Sequence, residues 1–410
     1  MSHRYHPGMI NLDEARKILL DAVSPRPVAE VPLWGARGRV LAIDVAADRD
    51  FPPTDRSAMD GYALRAADAA EAGTVLKPGG EVRAGQAVGE TRVEPGHAVR
   101  IFTGAIVPPG ADTVVMVEHT EETEAGVRFV HAVEPERNIR YRGEDRPAGA
   151  PVLAAGTPVG AAQIAALASV GCTTVPVHQA PRVAVLSTGD EIVDPAETPA
   201  DHQVRNSNAA ALVAQLQEMG LDGHYLGVAP DEPQGLGEAL REGLSHDVLL
   251  ITGGVSVGKY DLVGQALEQA GTEVLFHKVA MKPGKPVLAG RCGPCLVMGL
   301  PGNPVSTFTG FVTLVQPALR KMLGHADPFV GEIEAALDAP LRARGPRVTF
   351  HLAQLRQTAE GWHAAPVTNA SSGDVLSLSG ANGYVITPVG SAGAEAGERL
   401  PGLLWSPPGS

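Results

Sequence analysis

The sequence predicts an α/β multidomain protein with a central doubly wound parallel sheet, a β-rich module inserted in the N-terminal half, and a small C-terminal β domain. Three observations carry this expectation. Strand-like and helix-like segments alternate from about residue 181 to 324, the pattern of a sheet covered on both faces. Between about Thr74 and Val133, short apolar alternations are broken by PGG, PG and PPGAD, which punctuate turns between short strands. After Asp327 the helical period fades, and RVTFHLAQLRQ, GWHAAPV and GYVITPV read as strands. The expected parts are residues 1–50 with 147–180, the insert 51–146, the central domain 181–326, and the tail domain 327–410.

The first element is a helix over NLDEARKILLDAV, with Asn11 as its cap and Asp13 and Glu14 in the first turn. Pro25 and Pro27 end it. Residues 31–45, VPLWGARGRVLAIDV, read as strand, and FPPTDRSAMDGYALR is too polar and irregular for a core element. The helix-like AAQIAALASVG and strand-like TTVPV close the interrupted N-terminal domain.

In the central domain PRVAVLSTGDEIV is a strand, and SNAAALVAQLQEMG a helix with Asn208 near its start. DGHYLGVAPDEP, DVLLITGG and TEVLFHKVAM are strands, alternating with the helices GLGEALREGLSH and DLVGQALEQAG. A hairpin around Cys292-Gly293-Pro294-Cys295 follows, and VSTFTGFVTLVQPALRKMLG is the last helix. C-G-P-C is a redox-motif spelling, but that chemistry needs the first cysteine at a helix N-terminus. Here the pair separates two apolar runs, PVLAG and LVMGL, as a turn would. A zinc site needs a second ligand cluster, and no other cysteine pair exists.

Composition narrows the function. The net charge of −13 argues against broad attraction to nucleic acid or an anionic membrane. Aromatics at 4% leave few stacking platforms for a single strand. No apolar run reaches the roughly 20 residues of a membrane span, and MSHRYHPGMINLDEARK lacks the apolar core of a signal peptide. With three cysteines, the expectation is a reducing cytoplasm.

Chemistry concentrates at three strand-to-loop corners: Ser187-Thr188-Gly189-Asp190-Glu191, the run ITGGVSVGKYD from Ile251 to Asp261, and Pro301-Gly302-Asn303-Pro304. Main-chain N–H groups in such turns converge on oxyanions, and ligands of wound sheets collect beyond the carboxyl ends of the strands. Asn303 suits a helix cap and Pro304 the first helical position; a well-made helix start explains both, while free N–H groups and Ser306 would also face an anion. Lys278, Lys282 and Lys285 lie in FHKVAMKPGKPVLAG, and surface lysines usually only solvate. Lys282-Pro283-Gly284-Lys285-Pro286 is more pointed, because holding two ammonium groups on one stiff loop costs free energy that a polyanion would offset. Asp60, Asp145, Glu191, Asp231 and Asp261 lie in loops, each explicable as a solvated or capping carboxylate. Glu191, Asp231 and Asp261 share one crevice if the sheet is wound as expected, an arrangement suited to Mg2+ on a phosphate. No P-loop and no Ser-His-Asp arrangement is visible.

These segments resemble the molybdopterin molybdenumtransferases, a family that includes the E domain of gephyrin. The matching stretches, in order, are FPPTDRSAMDGYALR, RIFTGAIVPPGADTVVMVE, NIRYRGED, VAVLSTGDEIV, ITGGVSVGKYD, MKPGKP, GLPGNPVS and LSLSGANGYVI. The resemblance implies Mg2+-dependent insertion of molybdate into adenylyl-molybdopterin with release of AMP, the last step of molybdenum cofactor biosynthesis, by an elongated homodimer. It implies that Lys282, Lys285, Ser256, Ser306 and Arg347 hold molybdate, with Gly253, Gly254, Pro286, Pro301 and Pro304 shaping the binding loops. Glu191, Asp231 and Asp261 would serve the adenylate and its Mg2+. Asp60, Thr103 and Asp145 would reach a partner subunit's crevice. LSLSGANGYVI approximates the family's double serine at Ser377 and Ser379. The implied partners are a second copy, a molybdopterin adenylyltransferase and cofactor-accepting apoenzymes, with neither nucleic acid nor membrane. Two alternatives stand beside this. The 181–324 unit also resembles the adenylyltransferase of the preceding step, and the same fold can serve as a non-catalytic scaffold.

Overall fold

The computed structural model describes residues 8–254, 262–343 and 345–405. They form two compact units, one of Met1–Ile43, Ala155–Ala161 and Thr174–Ser410, the other of Asp44–Ala154 and Ala162–Thr173.

The first unit is built on a six-stranded sheet: β1 (Val183–Thr188), β2 (Gly223–Ala229), β3 (Val248–Thr252), β4 (Glu273–His277), β5 (Leu288–Cys292) and β6 (Cys295–Leu300), in spatial order β2-β1-β3-β6-β5-β4. The pairs β1–β2, β1–β3 and β3–β6 are parallel, as expected, but β5 pairs antiparallel with both β6 and β4. β5 is the first arm of the hairpin expected around Cys292-Gly293-Pro294-Cys295. The reason is local: Cys292 pairs with Cys295 across a two-residue Gly293-Pro294 turn, too short for a crossover.

β1 and β3 are buried at every position, so they need helices on both faces. Alternate side chains serve different cores. Val183 and Val185 join one with Leu212 and Leu216, while Ala184 and Leu186 join another with Leu236, Val263 and Leu267. Ala15 and Leu19 of the Leu12–Ala22 helix extend the first core, and Asn11 caps that helix by accepting from the Glu14 N–H at 2.8 Å. Residues 31–45 are not one strand. Val28–Pro32 pairs with Thr174–His178, and a 3-10 turn follows over Leu33–Gly35.

The last helix of this domain is divided into Pro304–Gly310, a π segment Phe311–Val315, and Gln316–Met322. Thr309 and Thr313 each bond a carbonyl four residues back, and Pro317 has no N–H for the Thr313 carbonyl. Arg16 Nε donates to that carbonyl at 3.2 Å instead. Beyond it, Glu332–Leu337, Val348–Thr358, Gly361–Pro366, Gly383–Thr387 and Arg399–Leu404 close into a small barrel, and Met281–Lys282 adds in parallel to Val348–Thr349. Tyr384 and Phe350 of the barrel enter the first core.

The second unit centres on a six-stranded sheet of Gly61–Leu64, Val75–Val82, His97–Ile101, Thr113–Met116, Thr120–Thr123 and Gly126–Phe129. Its two faces carry separate small cores, around Phe129 and around Ile101.

Candidate functional site

β1 and β3 end side by side, and each turns on glycine. Gly189 and Gly253 have φ of 129° and 90°, and Gly254 follows at 62°, where a side chain would be strained. Space forbids one as well. A Cβ on Gly253 would lie 2.5 Å from the Thr188 carbonyl oxygen, and one on Gly254 2.6 Å from Val263 Cγ2. The third corner is adjacent: the Gly253 N–H donates to the Leu300 carbonyl at 3.2 Å, and Gly302 faces Gly253 Cα. The three corners picked out in the sequence thus form one surface at the carboxyl ends of the central strands. Ser256 and Asp261 lie outside the described residues.

The lysine loop packs beside the third corner. Gly284 is buried with φ of 103°, a backbone that favours glycine, and a Cβ there would press on Met281 Cε at 3.0 Å and lie 3.6 Å from the Ser306 carbonyl oxygen. Lys282 and Lys285 are exposed, and Pro286 is half-buried. Lys282 pairs with Thr349 of the barrel, and Arg347, half-buried, donates from Nη1 to the Met281 carbonyl at 3.3 Å. Two lysines and an arginine therefore cluster on one edge, a concentration of like charge that a bound anion would offset. His351 shares a strand face with Thr349. Its imidazole contacts Thr387 Oγ1 at 3.1 Å. Burial, aided by the Lys282 ammonium, pushes it down to about 4, so it adds no further positive charge.

Carboxylates gather across the first corner. The Asp231 N–H donates to Asp190 Oδ1 at 3.1 Å. Partial burial, then the charges of Asp190 and Glu191, raise the Asp231 carboxyl above its ordinary range. A cation would relieve that repulsion. Among the described residues no group of three His, Cys, Asp or Glu side chains stands at metal-binding spacing. What is present, carboxylate oxygen without sulfur or imidazole, fits a hard cation such as Mg2+.

At the third corner Pro301 is buried and Pro304 occupies the first helical turn. Asn303 does not cap that helix with its side chain; its Nδ2 donates to Ser372 Oγ at 2.9 Å, and the Val305 N–H is taken by the Ser372 carbonyl at 3.0 Å. A barrel loop thus occupies one N–H that the sequence left free for an anion. Ser306 is buried. Ser377 and Ser379 bond within their own loop, to Asp374 and to the Leu376 carbonyl, so the adjacent serines at this corner are Ser371-Ser372.

In the second unit, Thr103 donates to Asp60 Oδ1 from its N–H at 2.7 Å and its hydroxyl at 2.8 Å. Those two bonds hold the Asp60 carboxyl below its ordinary range. Asp145 accepts from Arg140, and its N–H donates to the Phe51 carbonyl at 2.9 Å. The Arg56–Ser57 strand links the two groups, pairing with Ile139–Arg140 while the Ser57 carbonyl accepts from the Gly104 N–H.

Three family descriptions tile the chain: the MoeA N-terminal region (domain I and II) over residues 10–171, a probable molybdopterin binding domain over 184–321, and the MoeA C-terminal region (domain IV) over 334–405. The chain belongs to the molybdopterin molybdenumtransferase family. The molybdopterin molybdenumtransferase of a Nostoc species is 35% identical, covering 97% of this chain and 94% of the relative, and that of Bacillus subtilis is 36% identical over 96% and 94%. The crystal structure of the molybdopterin biosynthesis MoeA protein from Pyrococcus horikosii matches with a TM-score of 0.85 at 32% identity, covering 98% of this chain and all of that one. As a member of this family the chain is an enzyme of the transferase class.

Four residues that lie against these corners and the lysine loop are not among the sequence-predicted site residues. Ser372 was hidden because the barrel loop is remote in sequence, and His351 because strand pairing alone sets it near Lys282. Asp190 is adjacent to a predicted residue and was passed over. Asn208 does lie near the start of its helix, as expected, and the cap is Asn206, accepting from the Ala209 N–H at 3.1 Å. Asn208 is buried, and its Nδ2 lies 2.9 Å from Thr252 Oγ1 and 2.8 Å from the Gly302 carbonyl. Its helical spacing with Leu212 and Leu216, which puts an amide on an apolar face, is the available sequence signal.

Proposed function

We propose that this chain inserts molybdate into adenylyl-molybdopterin and releases AMP and the molybdenum cofactor. The observation that carries the reading is the pairing of Lys282 with Thr349, which sets the exposed lysine loop beside Arg347 and against the Pro301–Pro304 corner. Molybdate is a tetrahedral dianion, and Lys282, Lys285 and Arg347 present cationic donors from two elements; Ser306 and Ser256 complete the set we assign to it. Glycine at 253 and 254 lets a phosphate approach the main chain closely. Glu191, Asp231 and Asp261 are assigned to Mg2+, which supplies charge neutralisation on the adenylate phosphates when bound. The protein's own contribution is to orient the oxyanion, keep His351 neutral beside Lys282, and hold the glycine turns in place.

Asp60, held by Thr103, and Asp145 are assigned to the same reaction in a homodimer, where each subunit completes its partner's crevice. We place the enzyme in the cytoplasm, receiving substrate from a molybdopterin adenylyltransferase and passing product to apoenzymes. No helix among the described residues is long and apolar enough to cross a membrane.

The test is AMP release from adenylyl-molybdopterin with and without molybdate and Mg2+. Asp261→Ala and Lys282→Ala each abolish it on this reading. Unchanged turnover in both variants would remove the reaction from this crevice, and adenylated product formed from ATP and unmodified molybdopterin would assign the preceding step instead.

A further inference from the structure

We propose that Asn208 is a positioning residue: its side-chain amide braces the Gly253-Gly254 turn against the Pro301–Pro304 turn and so fixes the spacing of the two turns at the candidate site. The proposal rests on the transferase reading above, whose crevice these turns line.

The geometry assigns the amide without ambiguity. Gly302 offers only a carbonyl oxygen at 2.8 Å, so the nitrogen of the Asn208 amide must face it. The same nitrogen reaches Thr252 Oγ1 at 2.9 Å. Thr252 ends β3 directly before the two glycines, and Gly302 is the second residue of the third corner. One NH2 group thus spends both hydrogens on two different turns. Among the described residues those turns otherwise meet through the bond from the Gly253 N–H to the Leu300 carbonyl, with Gly302 close against Gly253 Cα. Glycine has no side chain with which to hold a distance, so the spacing must come from outside the turns.

The position is not one that needs only volume. Asn208, Leu212 and Leu216 recur at helical spacing and all are buried. Leucine fills the other two. At 208 the chain instead buries an amide whose Oδ1 has no hydrogen-bond partner among the described residues. An unpaired buried acceptor is costly, and a leucine there would avoid it. The residue is explained by what its donors hold.

The test uses the full-length protein. Asn208→Asp keeps shape and volume but sets a carboxylate oxygen against the Gly302 carbonyl, where no donor remains. Expected is a fall in kcat of about 10- to 100-fold, as for a displacement near 1 Å, with the KM for molybdate within about threefold, measured where both proteins are fully folded by circular dichroism. Hydrogen exchange at the Gly253 amide should rise about tenfold, the factor for losing about one hydrogen bond, with the strand interiors unchanged. Thr252→Val, which leaves the Gly302 link in place, should lose far less. Turnover within twofold of wild type, or unchanged protection at Gly253, overturns the proposal; so does a change confined to KM, which would make Asn208 a binding residue. If Asn208→Asp does not fold, Asn208→Ser, neutral but too short to reach Gly302, is judged by the same criteria. If the wild-type protein releases no AMP, the transferase reading fails, while exchange at Gly253 still decides the brace.

Discussion

Gly253→Ala probes the corner on which the chemistry depends, and the structure supplies its magnitude. With φ of 90°, alanine at 253 must hold a left-handed backbone, at about 1–2 kcal/mol. Its methyl would sit 2.5 Å from the Thr188 carbonyl oxygen. That oxygen is main chain at the end of a fully buried strand, so it cannot swing aside as a flexible side chain would. Overpacking that forces a backbone shift adds about 1–3 kcal/mol, for a total of about 2–5 kcal/mol. The melting transition should fall by about 5–10 °C, and AMP release by about 100-fold, because the turn moves by most of an ångström. Gly302→Ala is the control for stability, since among the described residues a Cβ there meets only Gly253 Cα at 3.8 Å, an ordinary contact. Differential scanning calorimetry and molybdate-dependent AMP release measure both variants. A Gly253→Ala protein that melts with Gly302→Ala would refute the steric argument at this corner.

The remaining predictions concern charge and thiols. Asp231 has a raised carboxyl pKa, so its stabilising contribution is present below the ordinary carboxylate range and lost as pH rises through the folded value. Asp231→Asn should therefore raise the melting temperature at pH 7 by about 1–3 °C, with no gain near pH 3, while turnover falls; a lower melting temperature at pH 7 would contradict the crowding argument. His351 is depressed to about 4, so its contribution is present above pH 6.5 and lost as pH falls through about 4. Urea titrations of His351→Gln across that range should show a shallower acid loss than wild type. Lys282→Ala and Lys285→Ala should each weaken molybdate binding about tenfold or more in calorimetry, and unchanged affinity in both would detach the oxyanion from this loop. Replacing Cys292 and Cys295 with serine should leave turnover near wild type. Cys295 is buried with its thiol pushed up to about 12, so the cost is a buried hydroxyl at about 1–3 kcal/mol, read as stability.

Several parts of the architecture were legible because their causes are local. The alternation of apolar strands and amphipathic helices from 181 to 324, the Asn11 cap and the Cys292–Cys295 turn each follow from residues close in sequence. The glycines of the three corners were legible for the same reason: a strand that stops on Gly189, Gly253 or Gly302 announces a turn. Where the reading failed, distance in the chain was the cause. Residues 31–45 look like one strand, but Val28–Pro32 extends only as far as its pairing with 174–178 allows. Asn303 looks like a cap until Ser372, 69 residues away, takes its amide.

By itself the sequence determined which residue types could do the chemistry. It supplied positive side chains on a proline-stiffened loop, carboxylates at strand ends, and glycine where main chain must approach a ligand. Tertiary structure decided which of them meet. Pairing Met281–Lys282 with Val348–Thr349 put Arg347 and a neutral His351 beside the lysine loop, and burial of Asn208 tied two turns together. These contacts span tens of residues of intervening chain, and loop closure carries no local sequence signature. Turn and helix preferences are written in neighbouring residues, whereas the spacing of two turns is set by whatever packs behind them.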